Sequence, residues 1–165
     1  MRVLAIDPGY NRLGVAVLEK LPGQKEMLLY SACVQTAKEL SHANRLLNIA
    51  TAIRKVADEF KPEAVALETL FFTTNRKTAI SVAEARGAIL VEAARAQLPI
   101  HEYTPLQIKV AVTGYGKSDK RQVTQMIKKL IALPEKKRFD DEYDAIAVGL
   151  TCLASERAGT NNWNK

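Results

Sequence analysis

Between Arg2 and Gln35 the chain carries three short apolar runs separated by turn signals, and from Leu40 onward its apolar residues switch to helical spacing. This change of period is the strongest constraint on the fold. Arg2–Asp7 (RVLAID) stops at Asp-Pro-Gly, residues 14–19 (GVAVLE) form a second run, and Met27–Gln35 (MLLYSACVQ) follows the Pro22-Gly23 turn. Connections this short join antiparallel neighbours, so a three-strand meander is predicted. Leu40, Ala43, Leu46, Leu47, Ala50, Ile53, Val56 and Phe60 then recur at steps of three and four, a helix that Pro62 ends. Ala64–Glu68 (AVALE) and Ile100–Tyr103 read as strands, and 78–97 as an Ala-rich helix containing Gly87. Further helices are predicted over 105–112, 118–133 and about 140–155. A meander followed by alternating helices and strands predicts an α/β fold, a mixed five-stranded sheet with helices on both faces.

At 165 residues the chain has room for one domain, expected over 1–155, with 156–165 (ERAGTNNWNK) as a polar, flexible tail. Its 47% hydrophobic and 25% charged residues exclude a disordered or collagen-like chain. No leader pattern or membrane-length apolar run is present, so a cytoplasmic location without membrane contact is expected. Cys33 and Cys152 lie in apolar surroundings without a CxxC spacing and are expected to be two reduced, buried thiols. His42 and His101 are expected to be structural or solvated.

The net charge of +6 is unevenly placed. Residues 109–138 hold nine basic and two acidic residues, a balance of +7, so the remainder nets −1. A basic stretch of this kind points to an anionic partner. Directly after it, Asp140, Asp141, Glu142 and Asp144 crowd four carboxylates into five positions.

Asp7 and Glu68 stand apart from the other acids because each ends an apolar strand, where open α/β sheets place their sites. Asp7 also suits a simple turn. In the last helix, acids three or four apart share a face near the N-terminus, where the helix dipole favours negative charge. Helix capping accounts for one or two such acids, and a divalent cation would relieve the repulsion among four. Spacing leaves open whether Asp144 pairs with Asp141 or Asp140. Two strand-end carboxylates and a helical pair form an oxygen-ligand set suited to Mg²⁺ and to phosphodiester hydrolysis.

V-L-A-I-D-P-G, then G-V-A-V, A-L-E-T-L-F-F, E-A-R-G-A-I-L, Y-T-P-L-Q-I-K-V-A-V-T-G-Y-G-K-S-D-K-R-Q-V and D-E-Y-D-A-I-A-V run in order from Arg2 to about Leu153. This series resembles the RuvC family of Holliday junction resolvases. The resemblance implies an RNase H-like fold, a homodimer, and symmetrical Mg²⁺-dependent nicking of four-way DNA junctions in recombination and repair. Two Mg²⁺ per subunit, replaceable by Mn²⁺, would lie on Asp7, Glu68, Asp141 and Asp144, which favours Asp141 over Asp140. The RuvA and RuvB branch-migration proteins become candidate partners. The family's basic contacts would fall on Lys109 and Lys120, and its junction-probing aromatic on Phe71.

Lys117 and Arg121 stand beside Lys120 in G-Y-G-K-S-D-K-R, where ammonium groups and backbone N–H groups can hold phosphate. Lys128, Lys129, Lys136 and Lys137 are expected to be solvated surface. Phe71 and Phe72 offer stacking on unpaired bases, with Arg76 and Lys77 steering the strand. Residues 111–118 (AVTGYGKS) nearly match a phosphate loop, but Ala111 replaces its first glycine and a helix is predicted where a strand belongs. Two rival functions share these features: an RNase H-like nuclease acting on structured RNA, and a non-catalytic junction-binding module.

Overall fold

The computed structural model describes residues 1–69 and 76–157. Its elements follow the order β1 (Arg2–Asp7), β2 (Arg12–Glu19), β3 (Met27–Gln35), α1 (His42–Phe60), β4 (Ala64–Glu68), α2 (Arg76–Arg95), β5 (Ile100–Tyr103), α3 (Pro105–Thr113), α4 (Lys120–Leu130) and α5 (Asp140–Arg157). One five-stranded sheet runs β3-β2-β1-β4-β5. β1, β2 and β3 form the antiparallel meander, while β1 with β4 and β4 with β5 pair in parallel.

Strand alternation divides the sheet between two cores. Leu4, Ile6, Val15, Val17, Val65 and Leu67 meet Ile49, Ile53 and Val56 of α1 and Ala85, Ile89 and Ala93 of α2. The opposite row, Val3, Ala5, Ala16, Leu18 and Ala66, meets α3, α4 and α5. Alanines dominate that row, so α5 lies close against β1 and β2. Gly149 completes this fit: a Cβ there would stand 3.1 Å from Ala5 Cβ and collide with Leu18.

Helix boundaries follow local chemistry. Ser41 caps α1, Thr104 and Gln107 form a capping box ahead of Pro105 on α3, and Asp119 and Gln122 form one on α4. The last box starts α4 at Lys120 rather than at the expected 118, and the extended Ile131 ends it short of 133. β2 begins two residues earlier than expected because Arg12 pairs with Gln35. α5 passes the expected domain end at 155, and the rest of the predicted tail, 158–165, lies outside the described residues.

Two expectations need correction. Cys152 is buried, but Cys33 is only half-buried, because it sits at the sheet's functional end beside Asp141. The second is one of pairing rather than exposure: Lys136 is solvated as expected, but its Nζ donates to Glu142 Oε2 at 2.8 Å and to the Ser31 carbonyl at 2.7 Å. His42 is solvated but engaged, by Tyr10 Oη at 2.7 Å and Glu84 Oε2 at 2.9 Å. Among the described residues no helix is long and apolar enough to cross a membrane.

Candidate active site

Strand parity puts Asp7 and Glu68 on the α5 side of the sheet. Asp7 continues the row of Val3 and Ala5, and Glu68 continues that of Ala66. The parallel register pairs Ile6 with Leu67, so the two carboxylates emerge next to each other at the C-terminal ends of adjacent strands.

α5 brings the other two acids to the same place, and Gly14 permits its approach. Gly14 pairs with Asp7 across β1 and β2. A Cβ on Gly14 would lie 3.3 Å from Asp7 Cβ and collide with the carbonyl oxygen of Asp141. The start of α5 is tied down by the other member of the acidic run. Glu142 accepts from Ser31 Oγ at 2.7 Å, from Lys136 Nζ at 2.8 Å and from the Phe139 N–H at 3.2 Å. Burial alone would raise its pKa, but those hydrogen bonds hold the carboxyl below the ordinary glutamate value. The expected repulsion among four crowded acids is therefore resolved by geometry: Glu142 turns inward as an anchor, and Asp140 remains 74% exposed.

Burial, then the fields of Glu68, Asp144 and Asp141, push the Asp7 pKa well above the ordinary aspartate value. Burial and Asp144 raise Glu68 to about 7, against the opposing pull of Lys120 and Lys109. Asp144 is raised too, chiefly by burial, despite its hydrogen bond from Lys120. These carboxylates therefore feel one another across a partly dehydrated space, and their repulsion is energy that a cation would recover.

Two cations of the chain itself occupy part of that space. Lys120 Nζ lies 2.8 Å from Asp144 Oδ2 and 3.7 Å from Asp140 Oδ2, and Arg12 Nε lies 3.3 Å from Asp141 Oδ2. Among the described residues no three Asp, Glu, His or Cys side chains close into a metal cage. The donor set nonetheless fits a hard divalent ion, since it is all oxygen, partly dehydrated and holds more carboxylates than the cations paired with them.

Glu68, Asp144, Lys109 and Lys120 line a cavity of about 200 Å³, floored by Pro105, Ile108, Val123 and Ala147. Lys109 and Lys120 thus join the acids as expected. Lys117 and Arg121 are exposed at the adjoining loop and helix start. That loop is rigidly built: Ser118 is buried and its hydroxyl pairs with Thr113 Oγ1 and the Tyr115 carbonyl. The phosphate-loop likeness fails on structure, because residues 111–113 end α3 and Gly114 is its left-handed cap. Phe71 and Phe72 lie outside the described residues, and Arg76 is placed only as the first residue of α2. Sequence reasoning missed Arg12 and Cys33, whose Sγ lies 3.7 Å from Asp141 Oδ2. Neither belongs to the motifs, and only the β1–β2–β3 pairing brings them to Asp141.

The family profile described as crossover junction endodeoxyribonuclease RuvC matches residues 3–152. A crossover junction endodeoxyribonuclease RuvC of Thermosipho melanesiensis is 47% identical over 156 residues, covering 94% of this chain and 98% of that one. Its counterpart in Moorella thermoacetica is 44% identical over 155 residues, covering 94% and 92%. Among solved structures, T. thermophilus RuvC in complex with Holliday junction substrate superposes with a TM-score of 0.90 at 36% identity, over 97% of each chain. The yeast mitochondrial Holliday junction resolvase shares the fold, with a TM-score of 0.68 at 13% identity, covering 98% of this chain and 82% of that one. The mixed sheet is thus the RNase H-like one expected, its strand-end acids face an acidic helix, and the chain belongs to the RuvC family of crossover junction endodeoxyribonucleases.

Proposed function

We propose that this endonuclease resolves four-way DNA junctions as a homodimer, by symmetrical hydrolysis of two phosphodiesters with Mg²⁺ held on Asp7, Glu68, Asp141 and Asp144. The observation that carries the reading is the meeting of two strand-end carboxylates with the acidic start of α5 around one partly dehydrated space. Two ions per subunit, with Mn²⁺ as a substitute, suit four carboxylates. Bound there, the ions would lower the pKa of water and neutralise charge on the leaving oxygen.

The chain's own residues set the rest. Asp7 and Glu68, on rigid adjacent strands, orient the ligand set, while Gly14 and Glu142 fix the height of α5 above them. Lys120 holds Asp144 in the free protein. Displaced from it, the ammonium would stabilise charge on the scissile phosphate, together with Lys109 in the same cavity. Lys117 and Arg121 would hold the flanking backbone, and Phe71, Phe72 and Arg76 would meet unpaired bases and their phosphates. A two-fold enzyme fits a two-fold substrate, and partnership with RuvA and RuvB belongs to the same reading.

The test is a panel of labelled four-way junction, duplex, single-stranded DNA and structured RNA, each with Mg²⁺ or chelator. Paired nicks confined to the junction with Mg²⁺ are expected. Cutting of RNA alone would favour the RNA nuclease, and tight Mg²⁺-independent junction binding without nicks would favour a binding module.

A further inference from the structure

Away from Lys109 and Lys120, a second concentration of positive charge borders the acids where β2 starts and β3 ends. Asn11, Arg12, Gln35, Thr36, Ala37 and Lys38 line an open cavity of about 580 Å³. Arg45 of α1 builds one side of this framework. It is 8% exposed, and its Nε and Nη2 donate to Thr36 Oγ1 at 3.0 and 2.8 Å, with Nη2 also reaching Asn11 Oδ1 at 2.5 Å. The guanidinium also stacks 3.9 Å from the Tyr10 ring centroid.

All hydrogen-bond acceptors around Arg45 are neutral. Among the described residues it has no carboxylate partner, although a buried cation ordinarily takes one. Its charge is therefore uncompensated and adds to that of Lys38, exposed at the cavity, while Arg12, also exposed there, is shared with Asp141. Thr36 is 6% exposed and donates to the Tyr10 carbonyl at 2.7 Å, so the framework is rigid. Arg12 also contacts Asp141, which places the cavity directly beside the acids.

We propose that this cavity is a phosphate subsite for the cut strand: Arg12 and Lys38, over the field of the buried Arg45, hold a backbone phosphodiester next to the scissile one. The inference rests on the reading of the chain as a junction endonuclease. It makes the catalytic acids the middle of a cationic track, bracketed by Lys120 at Asp144 and by Arg12 at Asp141. Such a contact carries no base information, but it fixes the strand's register over the acids.

The test uses the full chain, with chelator present so that binding is read without cutting. Junction affinity of wild type, Lys38→Gln and Arg12→Gln/Lys38→Gln is measured against salt concentration, with Lys25→Gln, at the distant β2–β3 turn, as the control for general charge loss. Each lost phosphate contact should weaken binding and reduce the log–log salt slope by about one. A second arm replaces single phosphates of the strand with neutral methylphosphonates. One position near the cut should weaken wild type severalfold and the double variant no further. All three substituted side chains are exposed, so melting curves should match wild type. Unchanged slopes in both cavity variants, an equal loss in Lys25→Gln, or additive losses at every methylphosphonate would overturn the subsite. Failure of wild type itself to bind the junction would instead overturn the underlying functional reading.

Discussion

Glu92 and Glu68 show how position decides what a carboxylate does. Glu92 of α2 is buried and accepts from Arg54 Nε at 2.8 Å and Nη2 at 2.9 Å, and from Arg95 Nη1 at 2.8 Å. The Arg54 hydrogen bonds, assisted by both arginines' charges, hold it below the ordinary glutamate range. A depressed acid binds fewer protons folded than unfolded, so its stabilisation is present above the unfolded pKa and fades as pH falls through the folded one. Melting curves from pH 6 down to 3 should therefore show wild type losing more stability than Glu92→Gln, with parallel losses contradicting this. Glu68 has the opposite environment, burial beside other acids, and is raised to about 7. Both glutamates were legible as acids, but only Glu68's place at a strand end marked it in the sequence. That Asp7 and Glu68 share one site was legible from their strand ends and the family resemblance; the contact itself was not, because it comes from parallel pairing of β1 with β4 across β2, β3 and α1.

At the scale of elements, the alternating runs and helical spacing were read with small boundary errors, set by caps that the hydrophobic period does not contain. What the period could not show is how closely α5 sits on the sheet. Alanines and Gly149 set that distance along the helix, and Gly14 sets it at the acids. Gly14→Ala should cost about 1–3 kcal/mol by overpacking and should lower Mg²⁺ affinity as well. Thermal melts and calorimetric titration of Mg²⁺ check the two effects together, and unchanged values for both would remove Gly14 from the account. The anchor of α5 is equally specific. Lys136→Ala leaves Glu142, whose side chain is 4% exposed, without its cation. A loss of about 1–3 kcal/mol is expected, below that for a fully buried pair because Lys136 itself is partly solvated.

For the whole molecule, the charge balance has a different meaning once folded. The +7 stretch is not one DNA-binding band, since Lys136 and Arg138, just ahead of α5, are committed to Ser31, Glu142 and the Pro134 carbonyl. Conversely, Arg12, Lys38 and Arg45 belong to the part of the sequence that nets −1, yet they meet around one cavity from which Arg12 reaches Asp141. Linear counting missed both facts because charges are sorted by strand order, β3-β2-β1-β4-β5, rather than by position in the chain. Lys117→Ala and Lys120→Ala should each flatten the salt dependence of junction binding by about one unit of slope, whereas Lys136→Ala should lower stability without changing the slope. Equal effects of all three on the slope would show that the basic stretch acts as a uniform band after all. The central claim is that the four converging carboxylates perform the cut and do not merely shape the DNA surface. Its most direct test compares wild type with Asp7→Asn on a labelled four-way junction, measuring nicks with Mg²⁺ and binding with chelator. Asp7→Asn should bind as wild type does and make no nicks; retained cleavage in that variant would contradict the account.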